Sequence, residues 1–226
     1  MTSSDLWDIP PGDRWFTVQN AIGADNTPAK ILIYDEINPV FAISAADFVN
    51  DLAKVTADQI TVRINSPGGS VFDGIAILNA LRGYDAQITT VVDGLAASIA
   101  SVIAMGGDEV LMMPNSNLMV HNAWDICIGN ADDLQRAADT LRQFSANLAS
   151  IYAEKAGGTV AEWQAIMDAE TCYTADEAVT AGLADRVLRA PSKAPSYAAP
   201  RSTFPSSNTP AANMRRNPLS HAQRTL

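Results

Sequence analysis

Two serines and one histidine are the residues of this chain whose types and positions could do chemistry. Ser98 and Ser101 lie in an otherwise apolar run, "VVDGLAASIASVIAMGG", where the pattern predicts that a strand becomes a helix. His121 is the one histidine of the main body, because the other, His221, lies close to the C-terminus. Since imidazole is the side chain that exchanges protons near neutral pH, acid-base catalysis of that kind in the body would use His121.

A glycine pair in "INSPGGSV" precedes these residues. Gly68 and Gly69 lack a Cβ, so the main chain can approach a ligand closely and direct N–H groups at it. Each feature alone also fits a structural role: a tight turn, a helix packed through small residues, or a hydrogen-bonded histidine at a strand end. Together they suit acyl transfer, which needs a nucleophile, a base and oxyanion donors at one edge of a sheet.

The elements that must position these residues alternate between strands and helices. The patterns predict strands over 29–37, 59–69 and 86–94, and helices over 44–55, 72–84 and 96–107. Two short strands follow, "EVLMMP" and "NLMVHNA", and then a long amphipathic helix over 130–156, a short helix, and a last helix and strand in "TADEAVTAGLADRVL". This order predicts an α/β fold with a mainly parallel sheet covered by helices.

Length and composition predict one domain with two flanking segments. The 226 residues suffice for one sizeable α/β domain, which we place at 28–188 after an N-terminal extension at 1–27. Residues 189–226 are rich in Pro, Ala and Ser and poor in apolar side chains, so burial cannot offset the entropy of ordering them. We therefore predict a disordered tail.

The charges are divided unevenly between body and tail. Six of the 15 basic residues lie from residue 189 onward, where there is no acid, leaving 9 basic against 25 acidic side chains in the body. The net charge is thus near −16 for the body and near +6 for the tail. An acidic body argues against nucleic acid as a partner. The basic tail suits either contact with an acidic protein surface or simple solvation.

Other classes of protein are also disfavoured. The apolar stretches are too short or too interrupted to span a bilayer, so we expect no membrane segment. The opening residues, "MTSSDLWDIPPGDRW", lack the pattern of a secretory signal, so we expect action where the protein is made. Cys127 and Cys172 lie far apart without CxxC spacing, which favours buried thiols over a disulfide or a metal pair. We expect neither metal nor cofactor.

Four stretches in order resemble the ClpP serine peptidases, and in particular the ClpP-like prohead (head maturation) proteases of tailed phages. They are "INSPGGSVFDGIAI", "DGLAASIAS", "PNSNLMVHNA" and "TADEAVTAGLAD", and the resemblance covers roughly residues 28–188. The phage branch is indicated by "WFTVQNA", by "HNAWDICIGNADDLQRAAD" and by the tail. A housekeeping ClpP is expected to carry "HQP" after its histidine and a segment that docks an unfoldase ring, and neither is found here.

The resemblance implies roles for individual residues. Ser98, in the position of the family's A-A-S serine, would be the nucleophile, and His121 the base that takes its proton and returns it to the leaving amine. Ser101, one helical turn further on, would then be a packing residue. The backbone N–H groups of Gly69 and Ile99 would form the oxyanion hole.

The third catalytic position departs from the family pattern. Glu170 falls where an aspartate usually orients the histidine, and its longer side chain can do the same, so it is the preferred candidate. Asp168, two residues earlier, is the alternative. A third possibility is that Ser98 and His121 act alone, because orientation of the imidazole is dispensable more often than the nucleophile.

The resemblance also implies a fold and a biological role. The fold would be the ClpP/crotonase-type spiral of ββα units, with the projecting helix at 130–156 interdigitating between homo-oligomeric rings that enclose the serines. The function would be ATP-independent serine endopeptidase activity on phage scaffold and capsid proteins, inside assembling procapsids in the host cytoplasm, with the chain's own tail as a further substrate. The alternatives are a housekeeping-type ClpP proteolytic subunit, a crotonase-like enzyme, and a catalytically idle assembly scaffold.

Overall fold

The computed structural model describes residues 15–19, 28–37 and 44–189. Nearly all of the predicted tail, and most of the predicted N-terminal extension, therefore lie outside the described residues. The strands are β1 (Phe16–Gln19), β2 (Ala29–Tyr34), β3 (Gln59–Ser66), β4 (Gln87–Ala97), β5 (Glu109–Met112), β6 (Asn117–Val120), β7 (Thr171–Thr174) and β8 (Arg186–Val187). The helices are α1 (Ala45–Leu52), α2 (Val71–Arg82), α3 (Ile99–Ala104), α4 (Ala131–Ala156), α5 (Val160–Asp168) and α6 (Ala175–Thr180).

The strands form one sheet whose central part is parallel. Its order is β1-β2-β3-β4-β5-β8, and β6 pairs with the last three residues of β4 and with β7. The pairs β2–β3, β3–β4, β4–β5, β4–β6 and β5–β8 are parallel, whereas β1–β2 and β6–β7 are antiparallel. Helices separate the parallel strands along the chain, because a parallel neighbour requires a crossover connection. The α/β fold predicted from the sequence is confirmed.

The edge strand β1 belongs to the segment that the sequence analysis treated as an extension. Trp15 and Phe16 are buried and form an aromatic cluster with Phe48 of α1, with the ring centroids of Phe16 and Phe48 5.1 Å apart. The sheet and its core thus include residues before position 28. A strand of only four residues is too short to show a periodic pattern, so the sequence offered no signal for it.

The strand β4 is longer than predicted, and this fixes where the next helix begins. The pattern assigned residues 96–107 to a helix, but β4 continues to Ala97 and α3 begins at Ile99. The first half of β4 pairs with β5, and its last residues pair with β6, Ala97 being opposite Met119. This second strand partner extends β4 and places Ser98 at the junction between strand and helix.

The prediction that both cysteines are buried was wrong, because Cys127 and Cys172 are exposed free thiols. Cys172 lies in β7, which among the described strands pairs with β6 alone, and it is exposed between the half-buried Thr171 and Tyr173. Cys127 lies in the exposed segment after His121. Neither environment could be read from the residue type, which is most often buried in proteins.

The long helix α4 matches the prediction closely. Asn130 caps its start by accepting hydrogen bonds from the N–H groups of Asp132 and Asp133, and Gly157, with φ +79°, follows its end. Its buried residues all lie from Ser145 onward, and none of residues 131–144 is buried. Among the described residues, no helix has both the length and the apolar character needed to cross a membrane.

Candidate active site

Ser98 occupies a strained turn between β4 and α3. Its φ of 55° and ψ of −131° are rarely adopted by residues with a side chain, so the surroundings must hold it there. Its N–H donates to the Met119 carbonyl at 3.0 Å, and its carbonyl accepts from the Ser101 N–H at 3.0 Å and from Ser101 Oγ at 2.6 Å. The main chain is therefore held on both sides, while the Ser98 hydroxyl makes no capping bond to α3.

The strand β6 connects Ser98 to His121. Met119, which accepts the hydrogen bond from Ser98, lies two residues before His121, and β6 ends at Val120. Because β4 and β6 are parallel neighbours, both residues follow the carboxyl ends of adjacent strands. The half-buried His121 is thus brought to the same sheet edge as Ser98.

Ser98 and His121 line one cavity of about 690 Å³. Its polar side also includes Gly68 and Gly69. Six large apolar side chains form an apolar wall of the same cavity: Phe72, Trp124, Ile126, Leu141, Phe144 and Leu148. The described charged residues along the cavity are acidic, namely Glu36 and Asp125. A cleft of this size with few polar groups suits an apolar side chain next to a reacting bond.

The glycine turn packs directly against Ser98. Gly68 has φ +102°, and a Cβ built there would lie 2.7 Å from both the Ala97 carbonyl oxygen and Ser98 Cβ. Gly69 has φ +143°, and a Cβ there would lie 2.1 Å from the Ile37 carbonyl oxygen. Ile37 holds the glycine turn through two hydrogen bonds. Its N–H donates to the Gly68 carbonyl at 2.7 Å, and its carbonyl accepts from the Ser70 N–H at 2.8 Å. Only glycine fits at either position.

Two backbone N–H groups close to Ser98 in the chain or in the fold have no acceptor among the described residues. The N–H groups of Gly69 and Ile99 donate no hydrogen bond to any described residue. Ile99 is the first residue of α3, where N–H groups have no partner within the helix. A pair of fixed donors of this kind can stabilise negative charge that develops on a substrate oxygen.

Glu170 and His121 flank the last residue pair of the β6–β7 ladder, but their side chains are not hydrogen-bonded to each other. In the antiparallel ladder of β6 and β7, Val120 pairs with Thr171, so His121 follows and Glu170 precedes the last pair. Glu170 is exposed and has φ +48°, and its N–H donates to the Met167 carbonyl. The register thus places the two residues at the same end of the ladder, with Glu170 exposed.

Asp168 is hydrogen-bonded to Asn122, the residue that follows His121. Asn122 Nδ2 donates to Asp168 Oδ1 at 2.7 Å, whereas the buried Asn122 Oδ1 has no partner among the described residues. Asp168 ends α5 and is exposed. Within the described part of the chain, no hydrogen bond joins His121 to either carboxylate.

Tyr152 and Ser145 of α4 form hydrogen bonds with residues around the site, and the sequence analysis missed both. The fully buried Ser101 is hydrogen-bonded to the Tyr152 hydroxyl at 2.7 Å, and Ser145 Oγ accepts from the Ala123 N–H at 3.1 Å. Burial raises the pKa of Tyr152 far above its ordinary value, so its hydroxyl keeps the proton. The available signal was a serine and a tyrosine seven residues apart on the buried face of a helix.

The geometry belongs to the class of serine hydrolases: a serine at a strained turn and a histidine that follows the adjacent strand line one cleft, beside a turn of two glycines. The Clp protease family model matches residues 12–191. Three relatives are named ATP-dependent Clp protease proteolytic subunit. That of Bacteroides fragilis is 32% identical over 167 residues, 73% of this chain and 72% of the relative.

The Chlorella vulgaris relative is 35% identical over 128 residues, and the match covers 56% of this chain and 64% of that protein, just under two thirds of its length. The Ligilactobacillus salivarius relative is 29% identical over 183 residues, 79% of this chain and 90% of the relative. This chain therefore belongs to the Clp protease family, the ClpP-like serine peptidases. The resemblance to ClpP seen in the sequence is confirmed, and the phage branch stays a prediction.

Proposed function

We propose that this protein is a serine endopeptidase in which Ser98 is the nucleophile and His121 the base. The observation that carries the proposal is that Ser98, held in a strained turn, lines the same cavity as His121. His121 accepts the Ser98 proton as Oγ attacks the peptide carbonyl carbon. The Gly69 and Ile99 N–H groups donate to the resulting oxyanion.

The two halves of the reaction use the same groups. When the C–N bond breaks, His121 returns its proton to the leaving amine, and the acyl group stays on Ser98. Water then attacks the ester carbon while His121 accepts a proton from it, and His121 gives that proton to Ser98 Oγ as the bond between Oγ and the acyl carbon breaks and the carboxylic acid product leaves. No step requires a metal or an organic cofactor.

We assign the orientation of His121 to Glu170, and the β6–β7 register supports this assignment. The Glu170→Gln variant is expected to lower kcat about 100-fold or more, because an unoriented imidazole adopts unproductive tautomers and rotamers. The matched Asp168→Asn variant is expected to lower kcat less than about 10-fold, since Asp168 is bonded to Asn122.

Steady-state hydrolysis of a fluorogenic peptide by both variants measures this difference. The reverse order of effects would assign the role to Asp168. Two small effects would leave Ser98 and His121 acting as a dyad.

The cavity supports a preference for flexible chains with a large apolar side chain beside the cleaved bond. Phe72 and Phe144 meet edge to face with ring centroids 5.0 Å apart and form part of the apolar wall. The acidic Glu36 and Asp125 favour basic residues further along the substrate. The chain's own tail, with six basic residues and no acid from residue 189 onward, meets that requirement and is proposed as a substrate.

We further propose that the protein assembles into homo-oligomeric rings, as Clp proteases do. Trp124, Ile126 and Ile128 are 71%, 79% and 96% exposed, and the adjoining first half of α4 has no buried residue. Large apolar side chains in such numbers on one short segment are typical of a protein contact. A second copy of the chain is the partner that ring assembly supplies.

The biological role that we propose is ATP-independent cleavage of phage scaffold and capsid proteins during head maturation, in procapsids within the host cytoplasm. The support is the sequence "HNA" after the strand β6 and the basic, Pro-rich C-terminal stretch. The second candidate is a housekeeping proteolytic subunit that works with an ATP-driven unfoldase, which the names of the relatives favour.

Covalent labelling tests the proposed chemistry. A fluorophosphonate is expected to add once to the assembled wild-type protein, because an activated Ser98 hydroxyl displaces fluoride from phosphorus, and not to the Ser98→Ala variant. Intact-mass spectrometry reads the result. An unlabelled wild type would favour the idle scaffold or a crotonase-like enzyme.

The wild type and the Ser98→Ala variant also distinguish an ATP-independent protease from a housekeeping subunit that needs an unfoldase. The wild type is expected to digest unfolded casein and to shorten its own C-terminus without ATP, while Ser98→Ala stays intact. Digestion that requires ATP and an unfoldase would instead support the housekeeping subunit.

A further inference from the structure

A chain of buried hydrogen bonds leads from the long helix α4 to the peptide unit that follows Ser98. Tyr152 and Ser101 are both fully buried, and their hydroxyl oxygens are 2.7 Å apart. Ser101 Oγ lies 2.6 Å from the Ser98 carbonyl oxygen. The chain connects residues 51 positions apart in sequence.

Hydroxyl stoichiometry fixes the direction of this chain. A serine hydroxyl has one proton, and a carbonyl oxygen can only accept, so Ser101 donates to Ser98. The Tyr152 hydroxyl must then donate to Ser101 Oγ. Because burial keeps the phenol protonated, this donor is present throughout the pH range in which a histidine base works.

The Ser98 carbonyl, which accepts the last of these hydrogen bonds, belongs to the same rigid peptide unit as the Ile99 N–H, a proposed oxyanion donor. The Ser98 carbonyl and the Ile99 N–H belong to one planar peptide unit and point in opposite directions. A hydrogen bond that holds the carbonyl oxygen therefore also sets the direction of the N–H. The strained φ of Ser98 makes an external restraint necessary, because a relaxed turn would rotate this peptide unit.

We propose that Tyr152 and Ser101 are positioning residues that orient the Ile99 N–H toward the oxyanion. The inference rests on the proposed function and adds that hydrogen bonds from Tyr152 of α4, through Ser101, fix the orientation of one oxyanion donor. Neither side chain touches the substrate. The restraint acts on a group that matters most in the transition state, so its loss affects kcat rather than KM.

The test compares Tyr152→Phe with a control that loses a tyrosine hydroxyl elsewhere. Tyr152→Phe retains the ring that packs against Trp163, at a centroid distance of 5.6 Å, and removes only the donor. In the control, Tyr84→Phe, the lost hydroxyl is bonded to the Val55 carbonyl. Tyr84 does not line the cavity that contains Ser98.

The expected result is a split between the kinetic constants. Tyr152→Phe lowers kcat about 10-fold or more with KM unchanged, whereas Tyr84→Phe leaves both constants within about twofold of the wild type. Ser101→Ala has a similar effect, and the double variant is no worse than the single ones, because both substitutions break the same chain. Thermal unfolding shows that each variant is folded at the assay temperature.

The experiments distinguish failure of the proposed function from failure of the positioning role of Tyr152. If the wild type takes no fluorophosphonate, the proposed function itself is overturned. If the wild type is labelled and turns over peptide, but Tyr152→Phe has a kcat within twofold of it, only the positioning role is overturned. Equal losses of kcat in Tyr152→Phe and Tyr84→Phe would also overturn it, since they would trace the effect to stability.

Discussion

Replacement of His121 by alanine is expected to lower peptide hydrolysis by about 10⁴-fold or more, because a serine hydroxyl is a poor nucleophile without a base. His121 is the histidine that lines the cavity with Ser98, and the chain has only one other, His221. The measurement is kcat for a fluorogenic peptide on the assembled protein. Thermal unfolding of the variant checks that the loss is not due to misfolding.

The matched control for this prediction is His221→Ala, which removes the chain's other imidazole and is expected to leave kcat unchanged. Added imidazole is expected to restore part of the activity of His121→Ala, since the small molecule can enter the vacated space and accept the Ser98 proton. A His121→Ala protein that keeps a tenth or more of wild-type kcat would show that another group is the base.

The second large effect is expected from Gly68→Ala, which should lower kcat by about 100-fold or more because displacement of a nucleophile by a fraction of an ångström disrupts its attack geometry. The added Cβ would lie 2.7 Å from Ser98 Cβ and from the Ala97 carbonyl oxygen. The free energy of unfolding should also fall, by about 2–3 kcal/mol, because alanine is strained at positive φ and the clash adds to that strain. Urea titration and peptide hydrolysis measure the two effects.

The Gly157→Ala variant distinguishes the effect of backbone strain at positive φ from the effect of the steric clash with Ser98. Gly157 also has positive φ, at +79°, but a Cβ there would meet no atom within 4 Å. This control is expected to lose about 1–3 kcal/mol of stability, because its φ of +79° and ψ of −172° suit glycine alone, and no activity. If Gly68→Ala loses no more activity than Gly157→Ala, the contact between the glycine turn and Ser98 does not matter for catalysis.

Much of the secondary structure around the site could be predicted from local signals. The helix α4 was predicted almost to its ends, because Asn130 and Gly157 are strong start and stop residues around an amphipathic pattern. The strands β2, β3 and β4 carry apolar runs of the length typical of a parallel sheet. Ser98 and His121 stood out because each is a reactive side chain at the predicted end of such a strand.

Local signals failed where a distant partner decides the structure. The last residues of β4 look helical in sequence, and they are a strand because β6 pairs with them. The exposure of Cys172 follows from the edge position of β7, which depends on the arrangement of the whole sheet. The choice between Glu170 and Asp168 also depends on tertiary structure, because the β6–β7 register, which ends with Val120 opposite Thr171, decides which carboxylate lies closer to His121.

The sequence by itself determined the α/β class, the course of the chain through most of its helices and strands, and the two residues most suited to acyl transfer. These properties follow from hydrophobic period, end signals and residue chemistry, all of which act over a few neighbouring positions. Only the tertiary structure decided that Tyr152 and Ser101 hold the peptide unit after Ser98. Their contact spans 51 positions and arises from packing of α4 against α3, which no local pattern encodes.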